Sequence, residues 1–172
     1  GKATGPIARE DLLAVTELDA TQREISDLSG LEWMPNLNSV NVMSNQIRDL
    51  GPLATLGEIQ HLFLSANRIE DLSPLQNLQK LEYLVAADNV ITRIEPLTKL
   101  PVLRRLEISR NPIADMDTAK SMTGLSDLNI QSIGLESLDF AAGFKQLLKL
   151  DARDNRIRSL EPLRDLRFLI EL

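Results

Sequence analysis

The sequence predicts an α/β solenoid, in which copies of one short coil stack on each other and a parallel sheet runs along one side. Leucine makes up about a fifth of the 172 residues, and an apolar pattern recurs every 22 residues across positions 15–168. In the first part of each copy apolar residues stand two positions apart, and in the second part they stand three positions apart. A fixed period of this length indicates a solenoid, because one coil cannot bury its apolar side alone and needs its neighbours.

The repeats divide the chain into three parts. We expect residues 1–14 to form an N-terminal capping segment, residues 15–168 to form seven 22-residue repeats, and residues 169–172 to begin an incomplete eighth repeat. The seven repeats begin at Val15, Leu37, Ile59, Leu81, Leu103, Leu125 and Leu147.

Each repeat predicts one strand followed by a tight, irregular return. In the copy over 59–80, Leu62 and Leu64 alternate with polar neighbours, as one face of a short strand requires. Ile69, Leu72 and Leu75 then recur every three residues, which suits a 3-10 helix better than an α-helix. We therefore expect a concave parallel sheet and a convex side of irregular and 3-10 segments.

An asparagine follows the strand in five of the seven repeats. An inward amide side chain at this turn can bind the backbone of its own coil and of the next, which satisfies buried polar groups. Arg23 and Ile133 replace the asparagine in the first and sixth repeats. The predicted structural ladder consists of Asn45, Asn67, Asn89, Asn111 and Asn155.

The two ends carry different signals. Positions 6–15 predict a short helix over the first coil, with Pro6 in its first turn and Leu12 and Val15 on its apolar side. Trp33 falls on the convex side, where we expect a partly buried plug near this cap. No polar closing element follows Leu169, although solenoids need one. The chain is therefore expected to be a fragment of a longer protein or to associate end to end through its last coil.

Composition excludes several classes of function. A net charge of −6 argues against nucleic acid as a partner. No run of apolar residues is long enough for direct membrane insertion. With no cysteine and one histidine, the chain offers no thiolate or histidine-pair metal site, no catalytic group and no cofactor motif. A weak calcium site among the strand carboxylates stays open, although no calcium-loop motif is present.

The concave face has an apolar centre with polar surroundings. We expect positions 3, 5, 7 and 8 of each repeat to project from the sheet, and a few aromatic residues within a polar rim indicate a binding hot spot. Two alternatives stay open: lateral strand packing of Phe63 on Val85, and a cation–π pair of Tyr83 with Arg105. The predicted binding residues are Met43, His61, Phe63, Tyr83, Val85, Asp88, Arg105 and Glu107.

The repeat resembles the leucine-rich repeat in its 22-residue, internalin-like bacterial class. The motif spans positions 81–94, with leucines at 81 and 84, Asn89 and Ile91 in place, and positions 69–75 read Ile-x-Asp-Leu-x-Pro-Leu. The resemblance implies a right-handed superhelix that binds a protein or glycoprotein ligand on its concave face without enzymatic activity. It also implies a bacterial surface or secreted protein, which favours an extracellular place over the cytoplasm.

Other functions remain open from the sequence. Repeats of 22 residues also resemble the regulatory subunits of type-one phosphatases, which would make the chain an intracellular scaffold. The chain could instead be the targeting domain of a larger enzyme, or a spacer with no specific partner, because a fold does not determine a function.

Overall fold

The computed structural model describes residues 8–172 and contains one seven-stranded sheet. All neighbouring strands are parallel, and the strands follow each other in chain order. The predicted solenoid with a parallel sheet is confirmed. The strands are β1 (Glu17–Asp19), β2 (Ser39–Asn41), β3 (His61–Phe63), β4 (Tyr83–Val85), β5 (Arg105–Glu107), β6 (Asp127–Asn129) and β7 (Lys149–Asp151).

The register of the sheet follows directly from the repeat length. Each residue pairs with the residue 22 positions later, so that Leu62 stands opposite Leu84 and Leu84 opposite Leu106. These central strand residues are fully buried, while the residues on either side of them face outward along the strand. Equivalent positions therefore form straight columns across the concave face.

A 3-10 helix returns the chain on the convex side of every coil, as the three-residue spacing predicts. Pro52, Pro74, Pro96 and Pro162 occupy the first turn of four of these helices, where a missing N–H costs no hydrogen bond. The helices span Leu31–Trp33, Gly51–Leu53, Ser73–Asn77, Glu95–Lys99, Asp117–Ser121, Asp139–Gly143 and Glu161–Leu163.

The N-terminal helix is shorter than the sequence predicts. Helix α1 spans Arg9–Leu13, and Pro6 lies outside the described residues. The Ala8 N–H donates to the Asp11 carboxylate at 2.8 Å, which satisfies one free donor at the start of the helix. The helix ends at Leu13 because the chain must become extended again to enter β1.

Leucines and isoleucines of successive coils form one continuous core. The sixth coil departs from this pattern, since Ala141 and Phe144 replace two core leucines and Phe140 replaces the usual proline. All three side chains are buried, and the rings of Phe140 and Phe144 meet edge to face with centroids 5.9 Å apart. Phe144 thus supplies the volume that Ala141 lacks, together with Phe140, which the repeat pattern did not single out.

The asparagines after the strands connect each coil to the one before it. The Asn89 amide nitrogen donates to the carbonyl oxygens of Leu64, Ala86 and Ala87, each at 3.1 Å. Its carbonyl oxygen accepts the N–H of Ile69 at 3.0 Å. Bonds of the same kind surround the remaining ladder residues, Asn45, Asn67, Asn111 and Asn155.

The ladder is interrupted where the asparagine is missing. In repeats two to four, the backbone N–H of the isoleucine at position 11 donates to the asparagine side chain of the next coil. Ile133 has no side-chain amide, so the N–H of Ile113 has no acceptor in the described structure. In both repeats without the asparagine the following residue has a positive φ, 59° at Glu24 and 85° at Gly134. The backbone therefore turns differently in these two coils, and a glycine relieves the strain in the sixth.

Asn89→Ala should lower the free energy of unfolding by roughly 1–3 kcal/mol, because it leaves three buried carbonyls and one N–H without this partner. Urea unfolding measures the change. Asn77→Ala, at an exposed asparagine whose amide has no bond in the structure, is the matched control and should stay within about 0.5 kcal/mol of the parent. Equal stabilities of the two variants would contradict a structural role for the ladder.

The residue two positions before the asparagine carries an unexpected buried hydroxyl in two coils. The side-chain oxygens of Ser65 and Ser109 are buried without a hydrogen-bond partner in the described structure. Ala87 holds the equivalent place in the coil between them and is also buried. A methyl group therefore fits this position without any rearrangement of the coil.

Ser109→Ala should leave the protein as stable as the parent or stabilise it by about 1 kcal/mol, because it removes a buried polar group that has no partner. The readout is the urea midpoint at unchanged slope. Ser26→Ala, at an exposed serine, should cause no shift and serves as the control. A loss of more than about 1 kcal/mol in Ser109→Ala would show that the hydroxyl has a partner after all.

Candidate functional site

The concave face is assembled from the two outward residues of each three-residue strand. One column contains Glu17, Ser39, His61, Tyr83 and Arg105 in register, because each strand is displaced by one whole repeat. The second column contains Asp19, Asn41, Phe63, Val85 and Glu107.

Four of the predicted binding residues come together on β3 and β4. The rings of His61 and Tyr83 lie with centroids 4.9 Å apart and tilted by 47°, and Phe63 stands in register with Val85. Met43 follows β2 and is half-buried. We call the set Met43, His61, Phe63, Tyr83 and Val85 the concave patch.

The members of the concave patch differ in how much they offer to a ligand. Tyr83 is 37% exposed, whereas Val85 is only 8% exposed. Phe63 and Glu107 flank Val85 in register on the adjoining strands, which leaves the short valine side chain nearly covered. The accessible part of the patch is therefore mainly Tyr83, with His61 and Phe63 half-buried beside it.

Arg105 forms an ion pair with Glu107 and no cation–π pair with Tyr83 in the described structure. The Arg105 guanidinium lies 3.5 Å from the Glu107 carboxylate and 3.9 Å from that of Asp127. Carboxylates on its own strand and on the next one attract the guanidinium away from the tyrosine ring. The alternative of a cation–π pair between Tyr83 and Arg105 is wrong, and the aromatic partner of Tyr83 is His61.

Asp88 belongs to an ion pair that sequence reasoning did not find. Its carboxylate accepts two hydrogen bonds from Arg110, one of them at 2.6 Å. Hydrogen bonds from Arg110 hold the pKa of Asp88 below its usual value, so the carboxylate stays ionised. The sequence signal for this pair was that Asp88 and Arg110, with opposite charges, stand at the same position of successive repeats.

Position 7 of the repeat is buried in the three central coils, where the sequence predicts that it projects. Ser65, Ala87 and Ser109 are buried there. The strand has already ended at this point, and the next residue takes a left-handed conformation, with φ of 57° at Ala66 and 54° at Asp88. Position 8 is exposed in these three coils, so the binding face is narrower there than expected, whereas Met43 at position 7 of the second coil is half-buried.

The C-terminal part of the sheet carries a column of alternating charges. Arg105, Asp127, Lys149 and Glu171 stand in register, and the Lys149 ammonium lies 2.9 Å from the Glu171 carboxylate. Hydrogen bonding to Glu171 raises the pKa of Lys149. Each charge has an opposite neighbour, so this part of the face largely neutralises itself.

Further ion pairs at the same end argue against acid–base chemistry. Asp151 accepts two hydrogen bonds from the Arg153 side chain, which lower the pKa of the carboxyl group. A general acid or base working near neutral pH needs a shift in the opposite direction. Within residues 8–172 no three acidic or histidine side chains cluster closely enough to hold a metal ion.

Trp33 is not the partly buried plug that its position near the cap suggests. The indole is 55% exposed, and the Arg9 guanidinium lies over its ring at 6.0 Å. The described part of the cap, with Arg9 over the ring, covers less than half of the indole. Trp33 thus forms a convex aromatic surface separate from the concave patch.

Two other surface features bear on partners. Over the described range 8–172 no helix is long and apolar enough to cross a membrane. At the C-terminal end, Glu171 pairs with Lys149 as an isolated bridge, and Ile170 is 78% exposed. The exposed apolar side chains of Ile170 and Leu172 therefore lie on either side of Glu171, next to β7.

Comparisons with known proteins agree with this geometry. The family model described as Leucine Rich repeats (2 copies) matches residues 57–99. No curated protein sequence matches the chain significantly. The crystal structure of internalin C2 from Listeria monocytogenes is similar over 96% of this chain and 74% of its own, with 31% identity and a TM-score of 0.93.

Two further structures show how far the similarity extends. The functional domain of InlJ from Listeria monocytogenes is 28% identical with a TM-score of 0.86, and the match covers 99% of this chain and 37% of that one. The ectodomain of the plant receptor kinase GASSHO1/SCHENGEN3 from Arabidopsis thaliana, solved with CASPARIAN STRIP INTEGRITY FACTOR 2, matches over 81% of this chain and 18% of its own. At 22% identity and a TM-score of 0.69, it shares the fold alone.

Proposed function

Because the chain belongs to the internalin family of leucine-rich-repeat proteins, we propose that it binds a protein or glycoprotein ligand through the concave patch, as a bacterial protein of the surface or secreted type. The chain is a repeat module of the protein-interaction class. In this proposal residues 15–168 carry the recognition surface as seven repeats, and residues 1–14, of which 1–7 lie outside the described residues, are the capping segment.

The observation that supports the concave patch is its aromatic pair, in which Tyr83 is exposed and His61 is half-buried. Tyr83 on β4 stands in register with His61 on β3 and contacts its ring, and Phe63 lies two residues along β3. Aromatic side chains held in place before binding lose little conformational freedom when a partner arrives, and they are frequent in binding hot spots. Nothing in the hydrophobic core requires these rings, because the core of β3 and β4 is filled by Leu62 and Leu84.

The bacterial and extracellular part of the proposal has a separate support. Internalin C2 and the InlJ domain both come from Listeria monocytogenes, and both resemble nearly the whole of this chain. Members of the family are often secreted or attached to the cell wall, so a ligand outside the bacterium is the natural partner. Arginines hold Asp88 and Asp151 ionised, which supports recognition and not catalysis as the role of these two carboxylates.

The double variant Phe63→Ala/Tyr83→Ala should lose at least about tenfold in affinity for any protein that the parent captures, because truncated hot-spot aromatics typically cost more than 1 kcal/mol each. The measurement is a crosslinking pull-down, followed by determination of affinity for each captured protein. Trp33→Ala, which removes an exposed aromatic from the convex side, is the control.

Both variants need the thermal stability of the parent for this comparison. Capture by the parent and by Trp33→Ala, but not by the double variant, supports the concave patch. Equal capture by all three proteins would mean that Phe63 and Tyr83 only stabilise neighbouring strands, and the proposed function would be wrong.

For the 172-residue chain we also propose end-to-end association through residues 169–172, because the exposed side chains of Ile170 and Leu172 lie beside the strand position of Glu171. The mass measured by light scattering should rise with protein concentration. Ile170→Lys should restore the monomer, since a lysine at a sheet edge disfavours pairing. A strictly monomeric parent at millimolar concentration would refute this expectation.

A further inference from the structure

The concave face has two halves of opposite electrostatic character. The strand segments of the first four repeats, 16–22, 38–44, 60–66 and 82–88, contain no lysine or arginine. The corresponding segments of the last three repeats, 104–110, 126–132 and 148–154, contain five. The concave patch lies entirely within the half that has no cation of its own.

Carboxylates in the first half have few internal partners. Glu17 is exposed and Glu82, directly before Tyr83, is half-buried, and neither makes an ion pair with any described residue. The Asp19 carboxylate accepts hydrogen bonds from the N–H and hydroxyl of Thr21, which lower its pKa. Those donors are neutral, and Asp19 makes no ion pair with any described residue.

In the second half, most charged side chains form ion pairs with each other. Its column from Arg105 to Glu171 alternates in sign, and Asp151 is paired with Arg153. An incoming charged group would have to compete with these existing pairs. At the boundary between the halves, Arg110 of the second half pairs with Asp88 of the first. Asp88 is the one carboxylate of the first half that forms an ion pair with a described residue.

From this division we propose that the concave patch recognises a basic polypeptide segment, in which a lysine or arginine lies against Tyr83 and His61 beside an apolar side chain on Phe63. This inference rests on the proposed function and identifies the chemistry of its partner. Tyrosine and phenylalanine rings attract cations through their faces. The uncompensated carboxylates of Glu17, Asp19 and Glu82 add a field of the matching sign, and the chain as a whole carries −6.

The first half of the face therefore supplies what a cationic segment needs and lacks what an acidic one needs. An acidic segment would find no lysine or arginine among the first four strands. A purely apolar segment would leave the unpaired carboxylates at the rim without a partner, although it would still fill the space over Phe63.

A selection from a library of random 12-residue peptides on the immobilised protein tests the proposal. We expect the enriched peptides to combine lysine or arginine with an adjacent apolar residue, and their binding to weaken as salt concentration rises. The most enriched peptide is then synthesised, and its dissociation constant is measured by fluorescence polarisation against the parent and the variants.

Three variants separate the contributions. Phe63→Ala/Tyr83→Ala should weaken the peptide at least about tenfold, and Glu82→Gln about twofold to fivefold, as expected for one surface charge near a cation. Glu70→Gln removes the same charge from a carboxylate outside the concave face and should leave binding within about twofold. Equal thermal midpoints establish that each variant is folded.

The outcomes distinguish the two levels of the proposal. Basic peptides that need the patch and weaken in Glu82→Gln but not in Glu70→Gln support the inference. Neutral, acidic or carbohydrate-mimicking peptides that need the patch overturn the basic partner and leave the proposed function intact. A selection with no patch-dependent peptide, or with basic peptides indifferent to Phe63 and Tyr83, refutes both.

Discussion

The hydrogen bonds of the buried asparagines are the interaction on which the rest of the molecule depends. A strand of three residues ends almost as soon as it begins, so its backbone groups turn toward the interior with little secondary structure to satisfy them. The Asn67 side chain satisfies such groups: it donates to the carbonyls of Val42 and Leu64 and accepts the N–H of Ile47. Two of these three bonds reach the preceding coil, so the same side chain that closes one turn also sets the spacing to the next.

The fixed spacing has a direct consequence for the concave face. Because every coil is placed relative to the one before it, residues 22 positions apart stand side by side along the sheet. The ring contact of His61 with Tyr83 and the pair of Lys149 with Glu171 both depend on this register. The interior supplies the register, and the exposed columns are free to vary in chemistry without disturbing the leucine core.

That freedom explains why one sheet carries two different surfaces. In the last three strands, opposite charges occupy neighbouring places in a column and satisfy each other. In the first four strands aromatic and neutral residues replace them, and Glu17, Asp19 and Glu82 form no ion pair with a described residue. Surface ion pairs contribute little to stability, so neither arrangement is required by the fold. This contrast is the observation on which the proposed recognition of a basic segment rests.

The sequence by itself determined the coil: its length, the buried strand positions, the 3-10 return and the asparagine at the turn. Each of these depends on residues within one repeat, and the periodicity states which side chains must be buried together. The tertiary structure alone decided the directions and partners of the exposed side chains. Arg105 lies against the carboxylates of Glu107 and Asp127, Ser109 is buried, and Trp33 is exposed. Their environment is built from residues on other coils, and periodicity places a side chain in a column without stating which of several neighbours it contacts.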